Sequence, residues 1–295
     1  MIGRVTQRMM VNNSIGAIQS NLGKMAGTQE QMSTGKILNR PSDNPTDTTA
    51  AMRLRDSLAA SQQYGRNATD GLGWLSQADT TLGGVTTDVQ RAYTLALQGA
   101  NTGAMGASSL DALADEIDGI RSDLLAASNT TYLGRPIFGG VTGGSTAYDA
   151  SGSYVGTPGD VTRRIADGVS VKVDVDGRDV FGDGSSSVFT ELSNLSTALR
   201  SGDQAGISAG IAQMQTRINT VTSARTAAGV VYQQVDKAGS TASDAQLQMT
   251  GDLSSLEDVD LAQATINLQM QQVAYQASLA ATSKTIQPSL LDFLH

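Results

Sequence analysis

Two short motifs near the start of the sequence contain the residue types of a serine acyl-enzyme. Ser33 and Lys36 fit the S-x-x-K pattern, in which the lysine accepts the proton of the serine nucleophile, and residues 42–44 read Ser-Asp-Asn. The third motif of such enzymes, K-T-G, is missing, because residues 284–286 read Lys-Thr-Ile. The two motifs that are present also lie too close together to enclose a helical domain. We therefore interpret Ser33 as part of a helix end, and the serine acyl-enzyme remains only a remote alternative.

A second group of candidate side chains is acidic and lies in the middle of the sequence. Asp174, Asp176 and Asp179 hint at a calcium loop, but Arg178 stands where an oxygen ligand is needed, and position twelve is Ser185 instead of glutamate. The Asp-Gly pair at 176–177 instead predicts a tight hairpin turn between two strands. We expect no metal, no other cofactor and no catalytic residue.

The composition excludes several other classes of function. The chain has no cysteine and a single histidine, the last residue, so thiol chemistry and histidine-dependent catalysis are excluded. A net charge of -8 argues against binding to nucleic acid, which needs a basic face. No apolar run reaches membrane-spanning length, and the first residues lack the apolar stretch of a Sec-type signal peptide. We expect neither a membrane nor a nucleic-acid partner, and no cleaved signal peptide.

The elements that would hold these residues are mostly helices, and the two at the ends of the chain are alike. Each carries an apolar stripe that alternates steps of three and four residues, the spacing of a coiled coil. These stripes are the predicted assembly interface, and it consists of Val11, Ile15, Ile18, Leu22, Met25 and Met32 near the start and Leu261, Leu268, Tyr275, Leu279 and Ile286 near the end.

An energy estimate indicates that each stripe needs a partner. Burying an apolar side chain stabilises by roughly 1.5 to 3 kcal/mol, so two per heptad contribute about 3 to 6 kcal/mol. Ordering seven residues costs roughly 10 kcal/mol. We therefore expect the terminal helices to order fully only when they pack against each other and against neighbouring subunits.

Between the ends, helical and glycine-rich segments alternate. Proline and Asx residues at 39–47 predict a turn after the first helix, and a capping box at Ser254–Glu257 predicts the start of the last one. The fold class is mainly α, an elongated antiparallel helical bundle or coiled coil with a small inserted β domain. The predicted domains are a terminal coiled coil (1–45 and 255–295), a helical rod (46–132 and 186–254) and a Gly-rich β insert (133–185).

Four stretches of the sequence resemble the flagellin family of bacterial axial proteins. Residues 31–45 read QMSTGKILNRPSDNP, and residues 127–140 read ASNTTYLGRPIFGG. Near the C-terminus, residues 258–262 read DVDLA and residues 289–294 read SLLDFL. Within the family, the Pro-Ser-Asp-x-Pro form is more similar to hook-associated subunits than to filament flagellin, which is the nearest alternative in this class.

The resemblance implies a structural subunit of the flagellum and not an enzyme. Such a subunit passes partly unfolded through the flagellar type III export channel and joins a ring of like subunits outside the cell. Its neighbours would be another hook-associated protein on the hook side and flagellin on the filament side, and an export chaperone would escort it. The terminal helices would form the innermost shell, and the β insert would face outward.

Overall fold

The computed structural model describes residues 2–101 and 106–286, with side chains for residues 9–101 and 106–283. The chain divides into two compact units. The terminal unit comprises Met1–Ala59 and Gln246–His295, and the central unit comprises Ala60–Ala245. The predicted Ser289–Leu294 motif lies outside the described residues.

The described part of the chain is mainly helical, which confirms the predicted fold class. The small β elements are two two-stranded antiparallel sheets. The helices are α1 (Ile2–Thr34), α2 (Pro45–Ala100), α3 (Ala107–Ser128), α4 (Gly177–Phe181), α5 (Val188–Ser201), α6 (Gln204–Glu257) and α7 (Leu261–Ile286). The strands are β1 (Thr131–Tyr132), β2 (Arg135–Pro136), β3 (Thr162–Ala166) and β4 (Val169–Lys172).

The predicted turn after α1 is held by side chains that accept backbone hydrogen bonds. Gly35 follows α1 with a φ of 70°, a left-handed conformation that favours glycine. The Asp43 carboxylate then accepts the N–H groups of Asn39 and Arg40 at 3.1 and 2.8 Å. Asn44 caps the N-terminus of α2, where its Oδ1 accepts from residues 46 and 47. Pro45, with no N–H to satisfy, is therefore well suited as the first residue of α2.

The predicted hairpin turn at residues 176–177 is wrong. The β3–β4 hairpin turns earlier, at Asp167 and Gly168, where Gly168 has a φ of 65°. Asp176 instead caps the short helix α4, because its side chain accepts the N–H of Arg178 at 2.9 Å. An Asp-Gly pair fits a helix N-terminus as well as a turn, and this explains the error.

The predicted capping box at Ser254–Glu257 is also wrong. α6 continues through Glu257, and α7 begins only at Leu261. The residue that caps α7 is Asp260, whose Oδ1 accepts the N–H groups of residues 262 and 263 at 2.9 and 3.1 Å. The segment between the two helices is therefore only three residues long.

The core of the central unit combines helix seams with an aromatic cluster. The seam of α2 includes Leu75, Leu82 and Val89, all at most 2% exposed. Tyr148 and Phe181 pack edge to face with ring centroids 5.7 Å apart. The other aromatic rings buried in this core are Trp74, Phe138 and Phe189.

Candidate assembly interface on the terminal helices

The terminal helices α1 and α7 pack against each other in antiparallel orientation. Asn21 of α1 donates a hydrogen bond to the hydroxyl of Ser278 in α7 at 3.0 Å. Next to the α6–α7 turn, Lys36 and Asp258 form an antiparallel bridge, and the Val259 N–H donates to the carbonyl of Gly35 at 3.0 Å. Residues 35 and 259 therefore lie at one end of the helix pair and residues 21 and 278 lie farther along it.

The face of α1 that meets α7 alternates apolar and polar residues. Its positions are spaced by three and four residues, so they lie on one side of the helix. Thr28 on this face is 8% exposed, and the other members are partly buried. They are Val11, Ser14, Ile18, Asn21, Met25 and Met32.

The matching face of α7 is formed mostly by small or polar residues. Ala264 is 4% exposed and Thr282 is 8% exposed. Gln271 also lies on this face, and its Oε1 is buried without a hydrogen-bond partner among the described residues. The remaining members are partly buried and are Leu268, Tyr275 and Ser278. The two helices are thus held together with modest apolar burial.

The structure divides the predicted interface residues into two groups. Val11, Ile18, Met25, Met32, Leu268 and Tyr275 are partly buried on the paired faces. Four others are exposed, namely Ile15 at 45%, Leu22 at 47%, Leu261 at 55% and Leu279 at 44%. Ile286 ends α7, and its side chain lies outside the described residues.

The sequence reading missed a second apolar stripe on α7. Ile266, Met270 and Val273 are 51%, 58% and 64% exposed, with the same spacing of four and three residues. Each follows a residue of the paired face by two positions, which is a rotation of about 200° around the helix. The stripe therefore lies opposite the face that α1 covers. A helix with apolar residues on opposite faces is typical of one that packs on several sides.

A cluster of ion pairs around one buried carboxylate holds the turn between α6 and α7. The Glu257 side chain is only 3% exposed, and its carboxylate lies 2.8 Å from Arg55 and 3.3 Å from Lys36. Lys36 also pairs with Asp258 at 2.6 Å. The hydrogen bond to Asp258 raises the pKa of Lys36, and the same bond lowers the pKa of Asp258. Sequence analysis could not find this cluster, because Lys36 and Arg55 are far along the chain from Glu257 and Asp258.

This cluster conflicts with the serine acyl-enzyme reading. A lysine that accepts a proton from Ser33 would have to be neutral, but two carboxylates hold Lys36 as a cation. In the described part of the chain, no three His, Cys, Asp or Glu side chains are grouped as a metal site would require. No helix within the described ranges is long and apolar enough to cross a membrane.

The fold and the helix pair define a class of protein, a mainly helical subunit whose two ends pair and expose further apolar stripes. The chain belongs to the bacterial flagellin family. Residues 5–142 match the bacterial flagellin N-terminal helical region, and residues 211–294 match the bacterial flagellin C-terminal helical region.

Several relatives match along nearly the whole chain. Flagellar hook-associated protein 3 of Escherichia coli strain K12 is 28% identical over 94% of this chain and 95% of its own. Flagellin of Bacillus subtilis strain 168 is 23% identical over 96% of each chain. Among solved structures, FlgL of Bacillus cereus matches with a TM-score of 0.60 and 25% identity, over 68% of this chain and 99% of that one. The predicted resemblance to hook-associated members of the family is thereby confirmed.

Proposed function

We propose that this chain is a structural, non-catalytic subunit of the bacterial flagellum that joins the hook to the filament. Similarity to hook-associated protein 3 of E. coli along nearly the whole chain supports this role. The observation that carries the assembly mechanism is the outward stripe of α7, where three large apolar side chains are more than half exposed. Surface like this on a soluble subunit marks a site of protein contact.

In the proposed assembly, the terminal unit packs with copies of itself. The paired faces of α1 and α7 contact each other within one subunit. Neighbouring copies in a ring contact the exposed residues, which are Ile15, Leu22, Ile266, Met270 and Val273. Leu261 and Leu279, the other exposed members of the predicted interface, flank the paired face of α7 and contact a neighbouring copy there. The terminal coiled coil (1–45 and 255–295) forms the inner wall, the helical segments 46–132 and 186–254 surround it, and the insert 133–185 faces outward.

The proposed partners and location follow from this position in the flagellum. A second hook-associated protein lies on the hook side, flagellin lies on the filament side, and a chaperone escorts the chain to the flagellar type III export channel. The assembled subunit is extracellular.

A deletion strain tests the proposed function. We expect hooks without filaments, and flagellin released into the medium, because the filament has no subunit on which to begin. Electron microscopy of hooks and immunoblotting of the culture medium measure both results. Normal filaments in the deletion strain would contradict the junction role.

Filament flagellin is the second candidate, because flagellin of B. subtilis matches 96% of this chain. The same strain separates the two roles. Loss of a filament subunit would remove the filament without releasing another flagellin into the medium.

A further inference from the structure

The central unit contains a cleft that the proposed assembly of the terminal helices does not use. Its volume is about 660 Å³, and it lies between the segment that follows β4 and one side of α6. Volumes of this size are typical of binding sites for small molecules or for a few residues of peptide. Part of the lining is apolar and includes Leu75, Val175, Ala224, Ala227 and Val231.

The charged part of the lining is acidic. It contributes three carboxylates, Asp174, Asp176 and Asp179, against one ammonium group, that of Lys172. Lys172 is already paired outside the lining, because its Nζ lies 2.7 Å from Asp160. Asp176 is paired as well, because its carboxylate accepts from the guanidinium group of Arg178 at 2.7 Å. Asp174 and Asp179 form no ion pair among the described residues, so the cleft combines an apolar surface with unpaired negative charge.

Asp174 is the most unusual of these carboxylates. The residue is 7% exposed, and its Oδ1 accepts the N–H of Val161 at 2.7 Å. Its Oδ2 is also buried but has no hydrogen-bond partner among the described residues. Burial accordingly raises the pKa of Asp174. A buried carboxylate oxygen without a donor lowers stability, so its presence in the lining of a cleft indicates that a bound group compensates for it.

We propose that this cleft binds an arginine side chain presented by a neighbouring protein subunit. The apolar lining contacts the alkyl stem, and the carboxylates of Asp174 and Asp179 attract the guanidinium group. Charge complementarity selects a cation, and the apolar lining selects one that carries a hydrocarbon stem. The inference rests on the proposed function only in naming a neighbouring subunit as the source of the side chain.

The chemistry of the cleft can be tested on the full-length chain with a small probe. Butylguanidine carries the head and stem of arginine, and butylurea has nearly the same shape without the charge. We expect butylguanidine to cause saturable shifts of the Ala224 and Ala227 methyl signals in NMR spectra of alanine-labelled protein. Butylurea should bind at least about tenfold more weakly, which corresponds to the loss of one charge-assisted contact.

Two variants test whether the carboxylate of Asp174 binds the guanidinium group of the probe. Asp174→Asn keeps an oxygen that can accept from Val161 and should weaken butylguanidine binding about tenfold. The matched control is Asp167→Asn, at a side chain that is 94% exposed on the β3–β4 turn, and it should leave binding unchanged. Absence of saturable shifts, equal binding of butylurea, or unchanged binding by Asp174→Asn would each overturn the proposal.

A crosslinking experiment tests the source of the cation. Ser223 lines the cleft and is exposed, so Ser223→p-benzoylphenylalanine places a photoreactive group at its edge. In intact flagella we expect a crosslink to a peptide of another subunit that contains arginine. Butylguanidine binding without any crosslink in flagella that contain the chain would overturn the neighbouring subunit as source. If the chain is absent from flagella, the proposed function fails instead, and the probe result is unaffected.

Discussion

Glu257 connects the turn between α6 and α7 to two other parts of the terminal unit. Its buried carboxylate joins Lys36, which follows α1, to Arg55 of α2. Its backbone carbonyl also accepts the N–H of Ile37 at 2.6 Å. Side chain and backbone together therefore fix the place where the terminal helices meet the rest of their unit.

Glu257→Gln should weaken the contacts that hold the α6–α7 turn. The variant keeps the backbone bond but removes the charge from two ion pairs, so we expect the free energy of opening α1 and α7 to fall by about 1–2 kcal/mol. Hydrogen exchange of the amides in these helices measures the change.

The control for this prediction is Glu30→Gln. Glu30 forms an ion pair with Arg40 at 3.1 Å, but its side chain is 41% exposed, and exposed pairs contribute little. Equal effects of the two substitutions would contradict the special role of Glu257.

Tyr148 provides a second prediction at the residue scale, for strongly alkaline solution. The residue is 1% exposed and its hydroxyl donates to the carbonyl of Gly182 at 2.9 Å. Burial raises the pKa of this hydroxyl far above its ordinary value of 10.0. Above about pH 10 the unfolded chain loses this proton and the folded chain keeps it, so stability should fall as pH rises.

Tyr148→Phe isolates this effect. We expect the variant to lose about 1 kcal/mol at neutral pH, from the missing hydrogen bond, but to show a shallower loss of stability above pH 10. Urea unfolding at several pH values measures both slopes. Parallel slopes for the two proteins would show that Tyr148 ionises as readily in the folded state as in the unfolded state.

At the scale of elements, the glycine-rich segment depends on a close approach between two stretches of backbone. Gly140 has a φ of 63°, and a Cβ there would overlap the carbonyl oxygen of Thr157. Gly140→Ala should therefore destabilise the central unit by about 2–3 kcal/mol. Gly143→Ala is the control, because nothing lies within 4 Å of its Cβ position. Thermal unfolding compares the two, and similar midpoints would contradict this account.

The existence and type of the long helices could be predicted from apolar spacing, because such spacing reports directly on a buried helix face. Local chemistry also identified the end of α1 at Gly35. The α6–α7 boundary could not be predicted, because Ser254–Glu257 and Asp260 are both good capping signals and the decision depends on the burial of Glu257.

The candidate interface could be predicted only in part, for a different reason. Apolar spacing identifies a stripe but does not say which partner covers it. On α7 two stripes with the same spacing lie on opposite faces. Only the fold shows that α1 covers the stripe containing Leu268 and leaves the stripe containing Val273 exposed.

At the scale of the whole molecule, the terminal helices carry large apolar side chains that remain exposed in the part of the chain that the structure describes. Met270 and Val273 on α7, and Ile15 and Leu22 on α1, are all at least 45% exposed. Among the described residues of the paired faces only Thr28, Ala264 and Thr282 are buried, and the large apolar residues stay partly exposed. That one seam cannot order its helix stays a prediction. Assembly with further copies would supply the missing burial.

The most direct test of the central claim is the fraction of hooks that carry filaments in a deletion strain that expresses variants. Val273→Asp places a charge on the outward stripe of α7, and Gln62→Asp places the same charge on an exposed position of α2, outside the terminal helices. Both proteins should be exported in equal amounts, which immunoblotting of the medium checks. We predict that Gln62→Asp restores filaments and Val273→Asp does not. Full restoration of filaments by Val273→Asp would contradict assembly through this face.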